Sequence, residues 1–373
     1  MMRTTSQQVI PIAKPLISDD EKRRVLDVLD SGRLVAGRWV AEFERDFSAY
    51  IGAAHGIATS SGTTALAVAL EVAGIGAGAR VITTPFSFGA TANTILHRGA
   101  YPVFADIDPR TYNLDPGAVA DVLDRTPGVT ALLLVHLYGL PCPMDAFEGL
   151  ARARGLVLLE DAAQAHGATF AGRRVGTFGM AAAFSFYPSK NLTTGEGGMI
   201  VTNDPHLAES ARVLVNGGQT DQYVYEAAGY NYRMTEMAAA LGVGQLTHLD
   251  ERNARRRRNA ARFSEELADL DWLVLPEEPR GCLHVYHQYT VRVPGVRDRL
   301  RQYLEAAGIG SRVYYPFPIH RTPAYQRRGY QEVRCPEAER AANEVLSIPV
   351  HPALTEGEID RIIQVMRRFD PRA

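Results

Sequence analysis

The sequence predicts an α/β protein, with a large domain built on a mainly parallel, helix-covered sheet and a smaller C-terminal α/β domain. Three observations carry that prediction. Helical patterns alternate with short apolar runs, as in a parallel sheet with crossover helices. Several of these runs are almost wholly apolar, as strands covered on both faces must be. Polar residues gather just past their C-terminal ends, the edge at which open α/β sheets bind ligands.

The elements follow in order. "SDDEKRRVLDVLDSG" opens on Ser18, a good N-cap, and stops at Gly32, which predicts a helix. "TTALAVALEVAG" has helical periodicity and ends at Gly74. Strands are expected at "RVITT" (80–84), "YPVFADI" (101–107), "TALLLVHLYG" (130–139), "GLVLLED" (155–161), "AAAFSFY" (181–187) and "GMIVTND" (198–204). From residue 234 to 270 the pattern predicts one long helix with the length of an interdomain connector. Beyond it, "CLHVYHQYTVRV" (282–293) and "GSRVYYP" (310–316) read as strands and "PEAERAANEVLS" (336–347) as a helix. A boundary near residue 250 is expected, giving a large domain over 1–250 and a small one over 251–373.

Composition bounds the function. At 373 residues the chain is too long for one small core. With 46% apolar and 22% charged residues it reads as a globular protein without a bilayer-spanning run, so no membrane partner is expected. The opening "MMRTTSQQVIPIAKPL" lacks the apolar core of a signal peptide, which predicts a cytoplasmic protein. Cys142, Cys282 and Cys335 have no metal-ligand spacing, and an odd count argues against a disulfide framework, so no metal site is expected. A net charge of −2 gives no general pull toward nucleic acid. The basic run "RNARRRR" (252–258) reads as the solvated face of a long helix flanked by Asp250 and Glu251. "GIGAG" (74–78) follows a helix instead of a strand, so it reads as a turn and not as a dinucleotide site.

Four features can carry chemistry. "ATSSGTTALAVAL" puts small hydroxyl residues and Gly62 at a helix start, where free N–H groups and the helix dipole make a ready anion site; taken alone, the segment reads more readily as an ordinary capped helix start. In "LVLLEDAAQAHG", Asp161 ends an apolar strand, where its carboxylate needs a cationic or hydrogen-bonding partner such as a protonated pyridine nitrogen; capping the next helix is the alternative. Lys190 follows the strand "AAAFSFY" and the turn at Pro188; held in a desolvated pocket, a lysine becomes a nucleophile for Schiff-base formation. In "TTPFSFGATAN", Phe86 and Phe88 stand at a strand end where an aromatic can lie against a planar ring, with core packing the ordinary role for at least one. Together they are the parts of a pyridoxal 5′-phosphate site: lysine, pyridinium carboxylate, phosphate cradle and stacking ring.

With these residues in view, the chain resembles the nucleotide-sugar aminotransferases, pyridoxal-phosphate enzymes with the aspartate-aminotransferase fold (fold type I). The resemblance runs over nearly the whole chain, through "SSGTTAL", "PFSFGATAN", "EDAAQAHGA", "FSFYPSKNLTTGEGGMIVTND" and "GYNYRMTEMAAALG". It implies that Lys190 is the Schiff-base lysine, that Asp161 pairs with the pyridine nitrogen, that Phe88 stacks on the ring and that Gln164 contacts it near the phenolic oxygen. Gly62, Thr63, Thr64 and Ser185 would hold the phosphate. Asn231, aided by Arg233, would reach the cofactor of a neighbouring subunit, which makes a homodimer the implied unit. Tyr187, Tyr315 and His320 are candidate substrate contacts, with packing of the small domain the alternative for Tyr315 and His320.

The implied reaction moves an amino group from L-glutamate to C3 or C4 of a nucleoside-diphosphate-linked ketosugar. "TTGEGG" is similar to members that aminate C4, and "RVYYPFPIHRTPAY" (312–325) to members that aminate C3. A related reading is amination of a keto-inositol or other carbocycle in antibiotic assembly; a different one is a non-catalytic regulator on the same fold. Relatives that dehydrate deoxysugars carry histidine where Lys190 stands, and three dispersed cysteines cannot supply a four-cysteine iron–sulfur cluster.

Overall fold

The computed structural model describes residues 9–372. Residues 1–8, half of the stretch read for a signal peptide, lie outside it. Among the described residues, seven strands form the main sheet: β1 (His55–Thr59), β2 (Arg80–Thr83), β3 (Tyr101–Phe104), β4 (Val129–Val135), β5 (Val157–Asp161), β6 (Ala181–Ser185) and β7 (Gly198–Thr202). Their order is β1-β7-β6-β5-β4-β2-β3. β7 pairs antiparallel with both β1 and β6, while β6-β5, β5-β4, β4-β2 and β2-β3 are parallel. Six strands therefore run one way, and their C-terminal ends form one edge.

The helices that cover the sheet are ordinary in their local chemistry. In α1 (Asp19–Ser31) the Ser18 side chain accepts from Glu21 N–H and the Glu21 carboxylate accepts from Ser18 N–H, a reciprocal capping box; Gly32 ends the helix in the left-handed conformation at φ 67°. α2 (Arg38–Ile51) packs Phe43 and Phe47 against Phe184 and Phe186 at the end of β6. α3 (Gly62–Val72) follows β1 directly, and α4 (Ala90–His97) follows β2. The strand β1 escapes sequence reading because five residues, one of them glycine, carry no clear period.

Five expectations change. The long helix of 234–270 is two helices, α5 (Glu236–Thr247) and α6 (Leu249–Glu266), hinged at His248. The Arg run on α6 is solvated on one side only, where Arg258 is exposed. Arg252 is buried and pairs with buried Glu21 at 2.9 Å, while Arg256 is buried against the carbonyls of Tyr286 and His287. Over 282–293 only Cys282–Leu283 and Tyr289–Arg292 are extended in ladders, because residues 284–288 turn inward to meet Gly139, Tyr138 and Arg256. "GSRVYYP" forms a single bridge, Arg312 to Ser347, and not a strand. The helix at 336–347 ends earlier, at Glu344, and Val345–Ile348 continues as a strand paired with Tyr289–Arg292. No helix among the described residues is long and apolar enough to cross a membrane.

Candidate active site

The parallel edge collects most of the predicted residues. β1 ends at Thr59 and delivers the start of α3; β5 ends at Asp161; β6 ends at Ser185 and leads through the turn at Pro188 to Lys190, whose N–H bonds Tyr187 O at 2.9 Å. At the α3 start Ser61 is the N-cap: its hydroxyl accepts from Thr64 N–H at 3.2 Å, and Thr64 Oγ1 accepts from Ser61 N–H at 3.0 Å. The N–H groups of Gly62 and Thr63 belong to the turn that has no intrahelical partners. Gly62 is required here, since a Cβ would lie 2.6 Å from Ser185 Cβ. That close approach joins Ser185 to the helix N-terminus in one cradle. Thr63 is exposed and open to a ligand.

Asp161 is 5% exposed. Its Oδ2 accepts from Thr91 Oγ1 at 2.8 Å and its Oδ1 from Ala163 N–H at 3.2 Å. Among the described residues it makes no ion pair, so each oxygen keeps acceptor capacity. Burial raises its pKa, opposed by the bonds from Thr91 and Ala163 and by the charge of Lys190. Lys190 is pushed down to about 8 by burial, against the pull of Asp161. The two groups thus feel each other across the edge, and the amine is released from its proton far more easily than a solvated lysine.

The aromatic pair divides cleanly. Phe86 is buried and packs on Tyr112 and Tyr315, whereas Phe88 is 62% exposed, its ring free to cover a ligand. Gln164 is locked from both ends: Tyr138 N–H donates to its Oε1 at 2.8 Å, and its Nε2 donates to Tyr315 Oη at 3.2 Å. Tyr138 Oη donates to the carbonyl of Tyr314, so the segment 314–315 is tied to the large sheet. Tyr187 is exposed.

Other predicted residues lie apart. His320 is fully buried, with Nε2 3.0 Å from Glu339 Oε1 and its ring against Phe104. Asn231 is exposed in a segment that reaches the cradle, since the neighbouring Tyr232 carbonyl accepts from Ser60 N–H at 2.7 Å. Arg233 donates to Asn216 Oδ1 at 3.2 Å. In "TTGEGG", Thr193 and Thr194 are buried: Thr193 Oγ1 bonds Phe186 O, which ties the turn to the end of β6, and Thr194 Oγ1 bonds Glu196 O within the turn. Sequence reasoning missed Thr91, Tyr138 and Tyr314. Thr91 sat within a quoted motif, and its signal was a hydroxyl one helical turn past Phe88.

A depressed lysine, a buried carboxylate with spare acceptor positions, an exposed ring and a helix start open to an anion are what pyridoxal phosphate requires, and they stand at one edge of a fold-type-I sheet. The class is that of the pyridoxal-phosphate-dependent aminotransferases. The chain belongs to the DegT/DnrJ/EryC1/StrS aminotransferase family, which it matches over residues 15–367. It is similar to a pleiotropic regulatory protein of Geobacillus stearothermophilus, 45% identical over 94% of both chains. It is 42% identical to the dTDP-3-amino-3,4,6-trideoxy-alpha-D-glucose transaminase of Streptomyces venezuelae, over 92% of this chain and 90% of that one. Among solved structures it superposes on S. venezuelae DesV in complex with a ketimine intermediate with a TM-score of 0.94 and 40% identity, covering 98% of this chain and 100% of that one. The protein is a sugar aminotransferase dependent on pyridoxal phosphate.

Proposed function

We propose that the protein transfers the amino group of L-glutamate to the C3 keto group of a nucleoside-diphosphate-linked sugar. The observation that carries the reading is the Lys190–Asp161 pair at the parallel edge, beside the cradle of Gly62, Thr63, Thr64 and Ser185. Bound pyridoxal phosphate supplies a carbonyl that takes up the amino group and a ring into which carbanion charge spreads. Lys190 would hold the cofactor, and its amine, once free, would serve as the general base and acid that carries a proton. Asp161 would keep the ring nitrogen protonated, Phe88 would cover the ring, and Gln164 would meet its phenolic oxygen. One observation favours C3 over C4: the transaminase relative is named for a 3-amino sugar. The intact lysine and carboxylate speak against a non-catalytic regulator.

The same reading takes the working unit as a homodimer in which Asn231 and Arg233 approach the neighbour's cofactor. Its support is the exposed apolar hairpin beside them, with Tyr223, Val224 and Tyr225. A division near residue 250 is part of the proposal. Its support is the break at His248 and a separate core of residues 260–369 joined by Ile10.

Two measurements test the proposal. Borohydride reduction of the yellow holoenzyme followed by mass spectrometry is expected to find the cofactor on Lys190; an adduct elsewhere overturns the site. With glutamate as donor, 3-keto nucleotide sugars are expected to turn over. Exclusive turnover of 4-keto sugars overturns the position, and turnover of a keto-inositol alone overturns the substrate class.

A further inference from the structure

On the other face of β5 from Asp161 lies a second buried carboxylate that the reaction does not use. Glu160 is 1% exposed and holds four donors. Phe178 N–H and Gly179 N–H reach Oε1, each at 2.8 Å; Gly176 N–H reaches Oε2 at 2.7 Å, and His136 Nε2 lies 3.0 Å from Oε2. His136, also fully buried, accepts Cys142 N–H on Nδ1 at 3.1 Å, so its ring proton sits on Nε2 and points at Glu160. The same residue's N–H donates to the carbonyl of Asp161 at 3.1 Å. The turn is pressed onto the strand, since a Cβ on Gly179 would lie 2.5 Å from Leu158 O.

We infer that the Glu160–His136 pair is a positioning unit for Asp161, which fixes the carboxylate's direction toward the cofactor's ring nitrogen. Consecutive strand residues point to opposite faces, so a twist of the β5 end that swings Asp161 must also move Glu160. Glu160 cannot follow without breaking bonds from the turn at 176–179 and from the end of β4. His136 holds the strand end twice, through Glu160's side chain and Asp161's backbone. An apolar pair of similar volume would fill the space without the desolvation cost of a buried carboxylate; what the ionic arrangement adds is direction.

The inference rests on Asp161 pairing with the ring nitrogen, and a double-mutant cycle separates the two. Cofactor affinity of the stripped protein is measured by absorbance titration with pyridoxal phosphate for the parent, Glu160→Gln, Asp161→Asn and the double variant. Glu160→Gln is expected to weaken binding about tenfold, the loss usual when a group that orients a ligand is removed. In the Asp161→Asn background the same change is expected to cost less than about twofold, because the group it orients has gone. Equal losses in both backgrounds, or no loss in the parent, overturn the inference alone. Asp161→Asn binding as tightly as the parent overturns the reading of Asp161 and the inference with it. Should Glu160→Gln fail to fold, His136→Gln carries the same cycle, since it leaves Glu160 its three backbone donors.

Discussion

Asp161 and Glu160 are neighbours on one strand, both carboxylates and both buried, yet their surroundings are opposite. Glu160 has four donors within 3.0 Å, and although burial raises its pKa, the bonds from His136 and the backbone outweigh that and lower it. Asp161 has two donors and keeps a raised pKa, which burial causes. The fully bonded carboxylate holds the fold; the incompletely bonded one faces the edge where a ligand can complete it. The same contrast separates buried Phe86 from exposed Phe88, and paired Arg252 from Lys190. Incomplete bonding in a well-ordered setting is what distinguishes the site from its scaffold.

The contrast can be broken from either side. Lys190→Ala is expected to have the largest effect, lowering turnover by about ten-thousandfold or more and abolishing the borohydride-trapped adduct. Asp161→Asn should follow, with a loss of roughly a hundredfold in kcat, since it removes a charge aimed at the reacting system, while the melting temperature stays near the parent's. On the scaffold side the balance reverses. Phe86→Ala is expected to cost about 3–5 kcal/mol in urea unfolding, while Phe88→Ala stays within about 0.5 kcal/mol and instead loosens the cofactor. The finest effect concerns protons. In its proposed role Lys190 reacts as the free amine, so the rate at which the stripped protein captures pyridoxal phosphate should climb with pH around a midpoint near 8. Because the charge of Asp161 raises the lysine's pKa, Asp161→Asn should move that midpoint lower; a midpoint unmoved would show that the two groups do not interact.

Much of this was legible in the chain. Capping residues and apolar runs marked α1, α3 and β2 through β7 to within a few residues, because local hydrogen bonding and burial on both faces leave a direct imprint on composition. Lys190 and Asp161 stood out because one follows a strand's C-terminal end and the other forms one. The hinge at His248 was hidden, since no proline or glycine marks it and both flanking segments are helical on their own. Arg252 and Arg256 read as solvated because their burial depends on Glu21 and on residues 284–288, which are distant in sequence. His136 and Glu160 carried a weak signal, polar residues inside apolar runs, but their donors lie in a turn that sequence does not place.

By itself, then, the sequence determined the strand ends, the helix starts and the residue types that meet there, because these follow from short-range chemistry. Only the tertiary structure decided which buried polar groups are fully bonded and which keep a free valence. Bonds between separate elements satisfy Glu160 and leave Asp161 open, and their geometry exists only once the sheet has assembled its edge.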